Sequence, residues 1–247
     1  ISKKISKKTK NTFSFFGVGN PIFLEEKIVD IKNNIELGSI QTNKRGIKFS
    51  NPGFSSLPNT EEEIKYISSL PMFTKSNILI KENATEFNIK NSLDLQNADI
   101  ISFATHGLVA GEMNLHSEPG LLLSSSNKNN ENGYLSMSEI TNLNLNAELV
   151  ILSACNTGGA MNSNSSPFSG LASAFLSAGA QNVLASHWSV ESKSTAELMK
   201  IILEVKSKNN IDFASAQLIG IKTFIKKFPD YKSPFYWASF VLFGTDF

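Results

Sequence analysis

The sequence predicts an α/β domain: a mainly parallel β-sheet covered by helices on both faces. Three observations carry this. Strand-length apolar runs alternate with segments at helical spacing along most of the 247 residues. Those runs are apolar at consecutive positions rather than at every second one, as in strands buried on both sides. The chain is long enough to enclose one large core, and no internal repeat of about 20–50 residues divides it.

The elements follow in order. "TFSFFGVGNP" (12–21) predicts a first buried strand, closed by Gly17, Gly19 and Pro21. The polar stretch 22–58 reads as a hairpin or an insertion. Thr60 followed by Glu63 has capping-box spacing and opens a helix through "EEEIKYISSL". "SNILIK" (76–81) is a strand. Asn83 with Glu86 suggests a second capping box and a helix to about Leu95. "ADIISFA" (98–104) is a strand that delivers His106. Residues 107–135 read as loop, with "SSSNKNNENG" (124–133) mobile and exposed. "SMSEITNLNL" (136–145) suggests a short helix. "AELVILSA" (147–154) is the most apolar strand and delivers Cys155. A Gly/Ser/Asn-rich loop (156–170) precedes a small-residue helix (170–180). "NVLASHW" (182–188) is another strand. Helices at about 192–207 and 212–228 follow, and "SPFYWASFVLFG" (233–244) ends in a strand or a helix-to-strand turn.

Bulk composition excludes several functions. With 23 Lys+Arg against 22 Asp+Glu the net charge is +1, so no global field favours nucleic acid or a membrane surface. No apolar run reaches the ~18 residues of a membrane span, and no signal-peptide core follows the basic start. One cysteine forbids an internal disulfide and suits a reducing compartment, the cytoplasm. Three histidines and one cysteine show no metal-ligand spacing, and no cofactor is expected. The first residue is Ile1 and "ISKKISKKTK" holds five lysines. Residues 1–12 are therefore expected to be a linker or the end of a preceding region, and 13–247 one domain.

In open α/β sheets, ligands bind beyond the carboxyl ends of the strands. His106, Cys155 and the loop "SHWSVES" (186–192) each follow a predicted parallel strand at that end. A thiol becomes a strong nucleophile when a base or cation favours its thiolate. His106 suits that task, and protonation of a leaving amine. The backbone N–H groups of Gly107 and Cys155 lie on turns where they can meet an oxyanion. The bland alternative is a turn histidine and a core cysteine. Two other loop chemistries fail: a phosphatase loop needs arginine where Met161 stands, and no Gly-Lys-Ser/Thr ending makes a P-loop. Trp188 suits either the core or a pocket wall.

"FATHG", "LLLS", "NGYLSMSEI", "LVILSACNTGG", "GLASAFLSAGAQNVLASHWSV" and "PFYWASFVLFG" together resemble a CHAT domain, the caspase-like peptidase domain often found beside tetratricopeptide repeats. The resemblance runs over about residues 13–245. It implies a caspase-like three-layer sandwich with a sheet of about six strands, and a Cys/His dyad that cuts peptide bonds. It makes Cys155 the nucleophile and His106 the general base and acid, with Gly107 and Cys155 as oxyanion donors. Ser153, Ser186, Trp188 and Glu191 would line the substrate pocket, and no third catalytic residue is assigned. The resemblance also implies a protein or peptide substrate, a repeat region elsewhere in a parent chain, and latency until a partner acts. That partner would be a protein or an RNA-guided complex, in a bacterial defence or signalling system.

Two departures from relatives bear on specificity. Caspases hold aspartate with arginines, whereas Arg45 is the only arginine here and lies far from Cys155 in sequence. Cleavage after aspartate is therefore not expected unless Arg45 or lysines substitute for those arginines. A basic preference through Glu191 and an uncharged preference both remain open. A non-catalytic scaffold and a Cys/His acyl transferase are the competing functions.

Overall fold

A computed structural model describes residues 12–23, 42–43, 46–47, 54–108, 118–125, 132–153, 167–188, 190–209 and 211–244. Cys155, the lysine-rich start and most of the two expected cleft loops lie outside these residues.

The elements are β1 (Phe13–Pro21), β2 (Thr42–Asn43), β3 (Gly46–Ile47), α1 (Pro58–Ser68), β4 (Phe73–Lys81), α2 (Glu86–Lys90), α3 (Leu93–Gln96), β5 (Ile100–Ala104), β6 (Gly107–Leu108), β7 (Gly120–Leu122), β8 (Tyr134–Ser136), α4 (Met137–Thr141), β9 (Leu149–Leu152), α5 (Pro167–Ser177), β10 (Asn182–Ser186), α6 (Ser192–Lys208), α7 (Phe213–Lys227) and β11 (Phe240–Gly244). The central sheet runs β11-β10-β9-β5-β1-β4. Its strands are parallel except β11, which pairs antiparallel with β10.

Each central strand sorts its side chains between two cores by simple alternation. Phe15, Ile100 and Ile151 face one core, with Ile64 and Ile67 of α1, Leu198 and Ile202 of α6, and Phe224 of α7. Phe16, Ile101 and Leu152 face the other, with Ile89 of α2, Leu95 of α3, Ile140 of α4 and Phe175 of α5. Both faces being covered explains the continuous apolar runs, and the result is the expected three-layer sandwich. Strand order reverses at β1: the chain steps outward to β4, then returns to β5 on the other side of β1. A crevice at such a reversal is the preferred ligand site of an α/β sheet.

Several local readings are corrected. Helix α1 begins at Pro58, with Leu57 as its cap residue and no side-chain cap. The Thr60 hydroxyl instead donates to the Leu57 carbonyl and accepts from the Asn20 N–H, so the Thr60–Glu63 pair is no capping box. The helix expected over 83–95 is two short helices capped by Thr85 and Ser92. Glu86 accepts the backbone N–H groups of Asn132 and Tyr134 rather than closing a box with Asn83. The stretch read as loop, 107–135, contributes a three-stranded antiparallel sheet, β6-β7-β8. Ser124, expected exposed, is buried: its hydroxyl donates to the Lys81 carbonyl and accepts from the Ile22 N–H. The rest of that polar turn, 126–131, falls outside the described residues.

Candidate active site

His106 leaves β5 two residues after Ala104 and is buried, 3% exposed. Its backbone is fixed from β7: the Thr105 hydroxyl donates to the Leu122 carbonyl, and the Leu122 N–H donates to the His106 carbonyl. Its ring packs against both Phe23 and Phe54, at centroid distances of 5.4 and 5.3 Å, and those two rings also meet each other at 6.4 Å. Nε2 is 2.9 Å from the Ser55 carbonyl oxygen. A carbonyl only accepts, so Nε2 carries a proton and donates. That bond fixes the tautomer, leaving Nδ1 as the basic nitrogen of the neutral ring.

Strands β5 and β9 are parallel neighbours, with Phe103 opposite Leu152, and the Ser153 N–H donates to the Phe103 carbonyl. The chain thus leaves β9 alongside the His106 turn, two residues before Cys155. A cavity of about 240 Å³ opens there, lined by His106, Ser153, Ser186, Glu191, Thr195 and Glu63 among others. Among its described lining residues there is no lysine or arginine.

Four of the residues expected from sequence meet in this cavity: His106, Ser153, Ser186 and Glu191. Ser186 is buried at the end of β10, its hydroxyl donating to the Leu152 carbonyl. Glu191 caps α6, accepting the N–H groups of Lys193 and Ser194, so its charge stands on the wall while its oxygens are already engaged. Trp188 does not line this cavity: it is 38% exposed and its indole N–H donates to the Phe235 carbonyl. Gly107 begins β6 opposite Leu121. Because His106 and Leu122 form the neighbouring hydrogen-bonded pair, the alternation of an antiparallel ladder turns the Gly107 N–H away from β7. Cys155 falls outside the described residues.

Two features were missed from sequence. The Ser55 carbonyl has no signature, because any residue offers one. Glu63 had the spacing of a capping residue and lies instead in the cavity wall, 3% exposed. Burial raises its pKa from 4.5 to about 8, and the like charge of Glu191 adds to this. The nearby Ser153 hydroxyl offsets part of the rise. Neither Glu63 Oε1 nor Ser153 Oγ reaches hydrogen-bond geometry with a partner. Glu61, two residues earlier on the same helix, is driven the opposite way: Lys65, Asn20 and Lys81 hold it at about 2. Close approach of α1 to β1 produces this placement. A Cβ on Gly19 would sit 2.9 Å from the Thr60 carbonyl oxygen, and one on Gly17 2.7 Å from Ile64 Cγ2. Among the described residues no group of three or more His, Cys, Asp or Glu could hold a metal.

The sequence profile of the CHAT domain matches residues 2–245. The chain belongs to the CHAT domain family. Among solved structures, the CHAT chain is similar to the crystal structure of the Arg-specific cysteine proteinase gingipain R, at a TM-score of 0.52 and 13% identity. That match covers 98% of this chain and 48% of the other. A complex of the pro- and mature domains of RgpB from Porphyromonas gingivalis matches equally, at 0.52 and 13%, covering 98% and 49%. The chain therefore spans about half the length of these neighbours, and they show that the CHAT domain has a caspase-like fold. No curated protein matches. No described helix is long and apolar enough to cross a membrane.

Proposed function

We propose that this CHAT domain is a cysteine endopeptidase with Cys155 as nucleophile and His106 as general base and acid. One observation carries the reading. His106 is anchored through Nε2 at the carboxyl end of β5 and lines a cavity with Ser153, which stands two residues before Cys155 in the sequence. The family, and a fold shared with a cysteine proteinase, support it.

In this mechanism His106 Nδ1 takes the thiol proton and the thiolate sulfur bonds to the scissile carbonyl carbon. The electron pair displaced onto oxygen is met by the N–H groups of Gly107 and Cys155. As the C–N bond breaks, the proton on His106 passes to the leaving amine. Water, deprotonated by His106, then adds to the thioester carbonyl; the C–S bond breaks, the acid is released and the Cys155 sulfur takes back the proton from His106. The Ser55 carbonyl stabilises the imidazolium that forms twice in this cycle, by holding its Nε2–H. Latency until a partner acts, a repeat region elsewhere in a parent chain and a place in bacterial defence complete the proposal, supported by the family alone.

The test is Cys155→Ala and His106→Ala in the full-length protein, incubated with its activator and candidate substrates. New N-termini are mapped by mass spectrometry. Wild-type cleavage that vanishes in both variants is expected. Cleavage at the wild-type rate by Cys155→Ala overturns the assignment. Absence of selective labelling of Cys155 by a thiol-reactive peptide probe, with activator present, points to a scaffold.

A further inference from the structure

The cavity beside His106 has an unbalanced wall. It carries the carboxyls of Glu63 and Glu191, with no lysine or arginine among the described lining residues. The two carboxyls differ in state. Glu191 spends both oxygens on the α6 N-terminus. Glu63 is buried and its Oε1 has no hydrogen-bond partner. Unpartnered buried carboxyl oxygens are rare and costly. Glu63 is held in place because Thr60 is tied to Asn20 and the glycines of β1 admit α1 closely. Among the described residues Oε1 makes no hydrogen bond that would tie it to the fold.

Resting on the peptidase reading, we propose that this cavity receives a lysine or arginine side chain of the substrate, the one preceding the scissile bond, and that Glu63 is the residue that selects it. The geometry fits. The cavity holds about eight water volumes, room for a long unbranched side chain. Ser153, two residues before Cys155 in sequence, lies on its wall, and on the peptidase reading that proximity suits the substrate residue that precedes the scissile bond. The hydroxyls of Ser153 and Thr195 on the same wall add acceptors for an ammonium or guanidinium. A cation entering the cavity supplies the partner Glu63 lacks and favours its ionised form, which burial and the neighbouring Glu191 otherwise disfavour. An acidic side chain would meet two carboxyls. An uncharged one would leave Oε1 as it is.

The acidity continues outward. A groove of about 540 Å³ between α1 and α6 shares Glu63 and Glu191 with the cavity and adds Glu62 and Glu197, opposed by Lys193. The Glu197 Oε2 atom is also buried without a hydrogen-bond partner.

The experiment is digestion of a peptide library by the activated full-length protein, comparing wild type, Glu63→Gln and Cys155→Ala, with cleavage sites read by mass spectrometry. Glu63→Gln keeps the shape and removes the charge. Cys155-dependent cleavage after lysine or arginine is expected. The preference for these over norleucine should fall at least roughly 30-fold in Glu63→Gln. Because this is a ratio, a general loss of activity cancels. Cys155-dependent cleavage after uncharged residues, unchanged by Glu63→Gln, overturns the proposal and leaves the peptidase reading standing. If no Cys155-dependent cleavage occurs, the peptidase reading fails. The cavity is then judged by binding of agmatine and cadaverine to full-length Cys155→Ala, read by thermal shift. Stabilisation lost in Cys155→Ala/Glu63→Gln supports a cation site, and none in either overturns it.

Discussion

Replacing Glu63 by glutamine should raise the stability of the domain by an amount that grows with pH. The folded protein holds the Glu63 carboxyl at about 8, against 4.5 for the ordinary group. Between these values the native state binds a proton that the unfolded state has released. Stability therefore falls as pH rises from about 4.5, and levels off above about 8. Glutamine cannot titrate, so the variant lacks this fall. Each pH unit in the interval is worth about 1.4 kcal/mol, giving a ceiling of roughly 5 kcal/mol. The cavity opens to solvent, and water reaching the carboxylate lowers the cost of charging it, so about 2–5 kcal/mol is the working range. For a chain of this size 1 kcal/mol moves Tm by roughly 2–4 °C. The Tm difference between Glu63→Gln and wild type should thus widen by about 5–15 °C between pH 5 and pH 8.5. Differential scanning fluorimetry in buffers of matched ionic strength measures it. Titrations remote from Glu63 affect both proteins alike and cancel in the difference. Parallel Tm curves across this range would show that the Glu63 carboxylate is solvated, and the reasoning would fail.

Four further outcomes are expected. Gly19→Ala should cost about 1–3 kcal/mol in urea unfolding, because its Cβ meets the Thr60 carbonyl and the neighbouring Ile64 side chain. Glu86→Ala should cost about 3 kcal/mol, since it strips the Asn132 and Tyr134 N–H groups and Lys90 of a buried acceptor. Phe54→Ala removes one of the two rings that hold His106. It should lower the rate of Cys155-dependent cleavage by roughly 10- to 100-fold while the domain stays folded by circular dichroism. Glu191→Ala should lose about 1 kcal/mol of α6 capping and also lower the pKa of Glu63, the latter visible as a flatter pH–Tm curve.

The architecture was legible because its strands are buried on both faces. "SFFGV", "DIISFA" and "LVILSA" are apolar at nearly every position, and the alternation that sorts Phe15 from Phe16 needs both cores. The small sheet β6-β7-β8 was not legible. Its strands are two or three residues long, and Gly107–Leu108 pairs with Gly120–Leu122 across an intervening stretch of chain. Runs so short carry no periodicity. At the site, His106 was legible because a strand and a glycine frame it. Ser55 was not, since a backbone carbonyl acts whatever side chain it bears.

Glu63 shows where a sequence rule and tertiary structure part. Thr60 and Glu63 have capping-box spacing, but that spacing only permits the box. Pro58, two residues earlier, was the stronger signal, because proline favours the first turn of a helix. With the helix starting at Pro58, Thr60 falls inside it, and its hydroxyl goes to Leu57 and Asn20. Glu63 is then released from local duty one helical turn further on. There it faces the sheet's carboxyl edge rather than its own backbone. A buried carboxylate without a partner is a poor choice for stability, and a neutral residue of the same shape would serve the fold better. What keeps an acid useful at that position is something that enters the cavity from outside, and the wall around it suits a cation.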